Sequence, residues 1–521
     1  MPFDPALLPR DPGRLIEIII ELQERNAHLQ GIVATLTRAV YGPRSEKLIA
    51  DPGQLPLDLD DMVLSEGAAA ANDDNVGQQP ARPRPPRPKA ARNIGALPKH
   101  LPRYEVVIEP ESKSCPCCGG AMHMIGDDVS EQLDVIPAVI QVKRVRRPRY
   151  GCRSCEGAVV QAKTPPRLVE NGMPTTALVT SIVVAKFAWH LPLNRQTQMF
   201  LGHGIELDRS TLVHWVLRAA WWLKPLYTLL VDFVLAAPKV FCDDTPLPVL
   251  DRRRRRTRTA RFWSYAVDDR PWQGPAPPAV VYIFAEDRKG RHVHEHLTGF
   301  SGVLQVDGYA GYHGLTKPNR PGGAITLAFC LAHARRQFFE IYRTSKSSVA
   351  MEALQWIRTV YEIEDRIRGL TAAERVKVRQ AETRPILEAF KTWLMQRLAE
   401  ESAKSELAKA IRYTLGHWDG LIVFLADGRV EVDSNVVERT IRPIAQGRRN
   451  ALFAGSTRGA EAWAILASIV NTAKLHELDP QTYIADVLER IVSGQTKVNA
   501  LHELLPWVWK AARAAQMDAA A

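Results

Sequence analysis

Between Leu15 and Ala39 the hydrophobic positions alternate spacings of three and four: Leu15, Ile18, Leu22, Arg25, Leu29, Ile32, Leu36 and Ala39. Only Arg25 interrupts the seam. The spacing predicts a short coiled coil or, equally open from the pattern, a single amphipathic helix on its own domain. Periodicity fades near Asp51 to Leu101, which ends in the basic run ArgProArgProProArgProLys (82–89). Proline lacks the N–H that helices and central strands need, so this stretch reads as a linker.

A cysteine-bearing module follows at about Glu111–Val160, then helical patterns through Trp222 to about Val234. The period then shortens in LysValPheCysAsp (239–243), ArgPheTrpSerTyrAlaVal (261–267), AlaValValTyrIlePheAla (279–285), ValLeuGlnValAsp (303–307) and AlaIleThrLeuAlaPhe (324–329). These runs predict a sheet laid down in sequence order. From His333 to about Leu425 the pattern is helical. Another helix begins after Asp433 and Ser434, either of which suits its N-cap, and the tail to Ala521 is helical with a low-complexity end.

At 521 residues the chain exceeds what one core supports, which predicts several domains. Lys and Arg number 68 against 57 Asp and Glu, a formal charge of +11, which favours a polyanionic partner such as nucleic acid. Seven cysteines are too few for a disulfide scaffold. With no signal-peptide pattern and no apolar run near the roughly 20 residues of a membrane span, the expected location is soluble and cytoplasmic.

Four of the cysteines form two CxxC pairs, Cys115 with Cys118 and Cys152 with Cys155, flanked by Gly119, Gly120 and Gly151. Paired knuckles of this kind suit tetrahedral thiolate coordination of one structural Zn²⁺, with Cys117 a bystander; four reduced buried thiols are the alternative. The basic, strand-like segment LysArgValArgArgProArgTyr (143–150) between them suits phosphate contacts or a solvated face.

Asp243 and Asp307 each end an apolar run, and Glu438 lies on a helix whose apolar side is Val436, Val437 and Ile441. Carboxylates converging from two strands and a helix would repel one another unless hard cations neutralise them. Two such cations can activate an attacking oxygen and stabilise a leaving one in phosphoryl displacement.

The chain resembles the insertion-sequence-66 family of bacterial transposases from about Leu15 to Trp509. The resemblance rests on CysAspAspThrProLeuProValLeu (242–250), GlyPheSerGlyValLeuGlnValAspGlyTyrAlaGlyTyr (299–312), AlaHisAlaArgArgGlnPhePhe (332–339), AspSerAsnValValGluArgThrIleArgPro (433–443) and ArgArgAsnAlaLeuPheAlaGlySer (448–456). It implies a DDE catalytic domain of the ribonuclease H-like fold, with Asp243, Asp307 and Glu438 as the triad holding two Mg²⁺ or Mn²⁺. Asp244 stands where the family often has Glu. Neighbouring strand residues face opposite sides, so only one of the pair enters the cleft, and Asp243 is assigned to it.

The fold class expected is multidomain α+β. A coiled-coil helix spans 1–48, a linker 49–110, the zinc-binding module 111–160, and a helical, helix-turn-helix-like DNA-binding region 161–235. The catalytic domain spans 236–475 with a helical insertion at about 340–425, and a helical C-terminal element spans 476–521. Within the DNA-binding region, residues 191–215 read as helix, Gly-containing turn and a Ser210-capped helix; helical packing without DNA is the alternative. The five arginines at 252–256 suit a hairpin tip that meets phosphates or is merely solvated. His292, His294 and His296 would share one strand face, although no carboxylate or cysteine completes a metal site.

His333, Arg335, Arg336, Arg442 and Arg449 fall in the family blocks and suit contacts to the scissile phosphate or flanking DNA, or structural ion pairs. The resemblance implies partners: element ends, target DNA, a second copy paired through the coiled coil, and small accessory proteins encoded by the same element. It implies water attack on a phosphodiester and then attack of the freed 3′-hydroxyl on target DNA. Rival readings are a ribonuclease H-like nuclease without strand joining and a zinc-dependent DNA-binding regulator derived from a transposase.

Overall fold

The computed structural model describes residues 105, 139–151, 159–251 and 253–520. These divide into two compact units, one ending at Gln161 and one beginning at Ala162. The heptad seam, the proline-rich linker and the four zinc-type cysteines lie outside the described residues. Among the described residues no helix is long and apolar enough to cross a membrane.

The first unit contains an antiparallel hairpin of β1 (Arg149–Gly151) and β2 (Val159–Gln161), with Arg149 opposite Gln161. The residues joining them in sequence include Cys152 and Cys155. Of the basic segment expected as a strand, only Arg149 and Tyr150 belong to β1; 143–148 has no regular structure and is largely exposed. Pro148 has no N–H to give a ladder, and the charged side chains keep their hydration.

The second unit is mixed α/β. Three helices, α1 (Thr176–Phe187), α2 (Leu193–Gly202) and α3 (Arg209–Leu235), lead into the hairpin β3 (Lys239–Asp251) and β4 (Arg256–Val267). Then come β5 (Ala279–Ala285), α4 (Gly290–His296), β6 (Val303–Val306) and β7 (Thr326–Phe329). The N-cap of α3 is Asp208, so Ser210 lies inside the helix rather than capping it. The turn at Gly204 (φ +73°) ends early enough for Asp208 to be the last extended residue.

The sheet order is β5-β4-β3-β6-β7, with β3, β4 and β5 antiparallel and β6 and β7 parallel to β3. The expectation of sequence order is therefore corrected, because the first strand is central. β3 also runs well past Asp243. It pairs with β6 only over Lys239–Phe241, and beyond that, among the described residues, its β6-side edge meets no further strand, only an isolated bridge from Val249 to Ala454. Pro246 and Pro248 occupy that stretch, where a missing N–H costs no ladder bond. Two prolines on one edge disfavour a further strand there.

The far edge, β5, is closed by side chains. In α12 (Thr457–Leu475) the Ser468 hydroxyl accepts from the Tyr282 N–H at 2.9 Å, and the Thr472 hydroxyl donates to the Val280 carbonyl at 2.9 Å. These bonds satisfy the unpaired strand edge that would otherwise invite association. The chain ends with α13 (Pro480–Val492) and α14 (Pro506–Ala520).

After β7 the chain enters a helical stretch, α5 (Leu331–Ser345), α6 (Ser348–Ile367), α7 (Ala372–Val378), α8 (Arg384–Glu400), α9 (Glu406–Gly416) and α10 (Trp418–Leu421), before α11 (Asn435–Ala451). This stretch has its own apolar cluster around Phe338, Ile357, Phe390, Leu394 and Trp418. Beside it Glu364 receives Arg379 at 2.7 Å and Arg375 at 3.4 Å, and Arg375 reaches Glu431 at 2.8 Å, all buried. Buried charges persist only when paired in this way.

Candidate active site

Strand parity sorts the two adjacent aspartates. Asp243 lies opposite Ser264 and Asp244 opposite Trp263, so they face opposite sides of the sheet. On the Asp243 side the Ser264 hydroxyl meets Thr440 of α11 at 3.1 Å, which lays that helix across the strand. On the other side Asp244, almost fully buried, is held by Arg261 and Arg288 at 2.9 Å each. Burial raises its carboxyl and the two guanidinium groups act against the rise.

Asp307 follows β6 in register with Asp243. Phe241 pairs with Gln305, and two residues onward on each strand stand the two aspartates. Asp307 accepts from the Tyr309 N–H at 3.0 Å, and Arg288 approaches it at 3.8 Å. Asp243 accepts from the Asp244 N–H at 2.7 Å. Burial first, then the charge of Asp307 and more weakly those of Asp244 and Glu438, push Asp243 up to about 7.

Glu438 arrives from the first turn of α11, with Ser434 as the N-cap. Buried Gln305 fixes that entrance: its side-chain amide donates to the carbonyls of Glu431 at 2.6 Å and Asp433 at 2.8 Å. The start of α5 is laced to it as well. Leu331 N–H donates to Val432 O at 3.1 Å, and Ser434 N–H to the Cys330 thiol at 3.2 Å. Two helix N-termini therefore meet where a negative charge is favoured.

His333 and Arg336 of α5 lie 4.0 Å from the two Glu438 oxygens. Burial lowers the His333 pKa, Glu438 opposing the shift. Atoms of Cys330, His333 and Glu438 lie within 4.8 Å of one another, the one such His, Cys and carboxylate group among the described residues. The triad is thus more widely spread. Burial pushes the Cys330 thiol up to about 12.

Glu438 Oε1 and His333 Nδ1 are buried with no hydrogen-bond partner. A buried carboxylate oxygen without a hydrogen-bond partner fits a hard divalent cation and is costly without one. The oxygen-only donors of Asp243, Asp307 and Glu438 pass this test.

The remaining expected residues are distributed unevenly. Arg335 lies over the Phe339 ring at 5.9 Å. Arg442 is half-buried one turn beyond Glu438, and Arg449 is exposed in the last turn of α11. The histidines at 292, 294 and 296 are in helix α4, not a strand. They part to Asp287, the Gly311 carbonyl and Tyr265 respectively, and Gly290 at its start is what a strand pattern overlooked.

Sequence reading missed Gln305 and Arg288. Gln305 is two positions before Asp307 on the same strand face, a spacing that pointed to it; Arg288, in a loop, carried no such signal.

The fold is that of a mixed α/β protein built on a five-stranded sheet, with Asp243, Asp307 and Glu438 carried by two neighbouring chain segments and the helix laid across them. A model described as Transposase IS66 family matches residues 171–462. The zinc-finger binding domain of transposase IS66 matches 112–156, the IS66 C-terminal element 468–507, and Transposase C of IS166 homeodomain 28–106. The chain belongs to the IS66 family of transposases.

Similar proteins include three from Sinorhizobium fredii. Uncharacterized protein y4jD is 51% identical over 98% of both chains. Uncharacterized protein y4hP is 38% identical over 94% of this chain and 90% of its own. Uncharacterized protein y4qI is 38% identical over 97% and 93%.

Proposed function

We propose that this chain is a DNA transposase that cuts element ends and joins them to target DNA, with Asp243, Asp307 and Glu438 holding two Mg²⁺ or Mn²⁺ ions. The observation that carries the reading is the convergence of these carboxylates from two adjacent strands and a helix, with Glu438 Oε1 left unpartnered. Their arrival from two strands and from the helix after a long helical insertion supports the ribonuclease H-like assignment.

When bound, the cations activate the attacking oxygen and stabilise the leaving one during in-line displacement at phosphorus. The chain's own residues place the strand. His333 and Arg336 flank Glu438 and present donors at the mouth of the cleft, where a phosphate would lie. Asp244 takes no metal in this reading; it anchors Arg288, whose guanidinium stacks on Tyr309 at 4.3 Å beside the cleft.

Cys115, Cys118, Cys152 and Cys155 hold one structural Zn²⁺, the helical region from 161 to 235 and the zinc module contact element ends, and the N-terminal heptads pair protomers. A Mn²⁺ titration followed by electron paramagnetic resonance tests the metal assignment. Wild type binds two ions at the cleft and Asp243→Asn loses at least one; equal stoichiometry in both contradicts it.

A further inference from the structure

The end of α11 is held in a conformation that leucine avoids. Leu452 has φ +61° and ψ −50°, and the N–H of Phe453 donates back to the carbonyl of Ala451 at 2.7 Å. That bond closes a positive-φ γ-turn, a rare and strained arrangement. Such strain survives only where the surroundings over-determine it.

They do here. The Leu452 N–H donates to the Arg448 carbonyl at 2.8 Å. On the far side, the Ala454 N–H donates to the Pro248 carbonyl and its carbonyl accepts from the Leu250 N–H, each at 2.9 Å. Arg448 is clamped to Thr245 at 3.1 Å and to the Pro246 carbonyl. The turn is riveted between α11 and the Pro248–Leu250 edge of β3.

The product of this strain is exposure. Leu452 is 68% exposed and Phe453 40%. A lone exposed leucine is ordinary, but two consecutive apolar side chains held out by a strained, pinned turn are not explained by folding. The surroundings are cationic: Arg449 is exposed three residues earlier, and the tip Arg253–Arg256, also exposed, rises just beyond Leu250. Apolar side chains framed by arginines match duplex DNA, where an apolar wedge unstacks a base step while cations meet the phosphates.

We propose that Leu452 and Phe453 form a wedge that enters the base stack of the DNA held along α11. The inference rests on the transposase reading and adds a second contact to it. Along the helix, 14 residues at 1.5 Å each separate Leu452 from Glu438, about 20 Å. At 3.4 Å per step the wedge meets the duplex about six base pairs from the cut.

The test uses the full chain and a duplex of the terminal inverted repeat flanking its coding sequence, with 2-aminopurine placed singly at steps along it. Wild type is expected to raise fluorescence at one or two adjacent positions about six base pairs from the cut. Leu452→Gly with Phe453→Ala is expected to bind the duplex but lose the signal and cut about tenfold more slowly. A mismatch at the responsive step restores the rate, since its unstacking costs less.

Leu452→Gly alone guards against misfolding, because glycine accepts positive φ and its melting temperature stays level or rises by about 2–4 °C. If wild type binds and cuts without any fluorescence change, or the double variant keeps the full signal, the wedge is wrong and the transposase reading stands. If wild type neither binds nor cuts the duplex, the reading itself falls and the wedge with it.

Discussion

Asp243 and Asp307 stand at the same level on the adjacent parallel paths of β3 and β6, two residues beyond the Phe241–Gln305 pair, and the charge of Asp307 raises the Asp243 carboxyl. β3 supplies the first aspartate where its neighbour ends, and no further strand pairs with that edge among the described residues.

The pairing sets a pH dependence. Burial and the neighbouring carboxylates push Asp243 up to about 7, above the ordinary value. The fold thus favours the protonated acid, and without Mg²⁺ or Mn²⁺ stability falls as pH climbs from about 4 to 7, then stays at the lower level. Asp243→Asn removes this penalty. At pH 8 its melting temperature is expected to exceed wild type by about 2–6 °C, the gap closing near pH 4 and reversing when Mg²⁺ is added. A variant that melts below wild type at pH 8 without the metal would contradict the arrangement.

Asp244→Asn is expected to differ from Asp243→Asn in both melting and metal binding. Its carboxylate is the partner of Arg261 and Arg288, so Asp244→Asn leaves two partly buried guanidinium groups undercompensated and destabilises by about 1–3 kcal/mol. Mn²⁺ stoichiometry stays at the wild-type level. Thermal melts together with the Mn²⁺ titration separate the two aspartates; loss of metal by Asp244→Asn would exchange their roles.

Gln305 sets the position of Glu438 through the carbonyls of Glu431 and Asp433. Gln305→Leu deprives both carbonyls of a donor and is expected to cost about 2–4 kcal/mol by urea unfolding. DNA affinity should change less than threefold while the cleavage rate at saturating DNA drops by about tenfold or more. A loss confined to affinity would show that Gln305 does not act through Glu438.

The helical stretch carries a buried network whose weak point is Glu364. Arg379→Met removes its 2.7 Å partner and leaves a buried carboxylate undercompensated, at about 3–5 kcal/mol. Pairing it with Glu364→Gln should recover much of that loss in a double-mutant cycle, whereas additive losses would argue against coupling.

The sequence made much of this visible because the chemistry is local there. Period-two runs marked all five strands of the sheet, and Asp307 and Glu438 lay in recognisable blocks. Sheet order was not legible, since the centrality of β3 depends on which distant strand it meets. The length of β3 was not legible, because the apolar run ends at Asp243 while the strand continues through Pro246 and Pro248 to Asp251. His292, His294 and His296 misled because alternation suggests a strand, while Gly290 and the packing against Tyr265 make a short helix. Arg288 acts through a contact 44 residues away in sequence, beyond any local pattern, whereas Gln305, whose contact lies 126 residues away, was marked only by its place two positions before Asp307.

The most direct measurement is cleavage and joining of labelled terminal-repeat DNA in Mg²⁺ or Mn²⁺ by wild type and Glu438→Gln. The account predicts nicked and joined products from the wild type, and a variant that binds the same DNA while forming neither. Equal activity of the two proteins would contradict the three-carboxylate site, and cleavage without any joined product would leave a nuclease in place of a transposase.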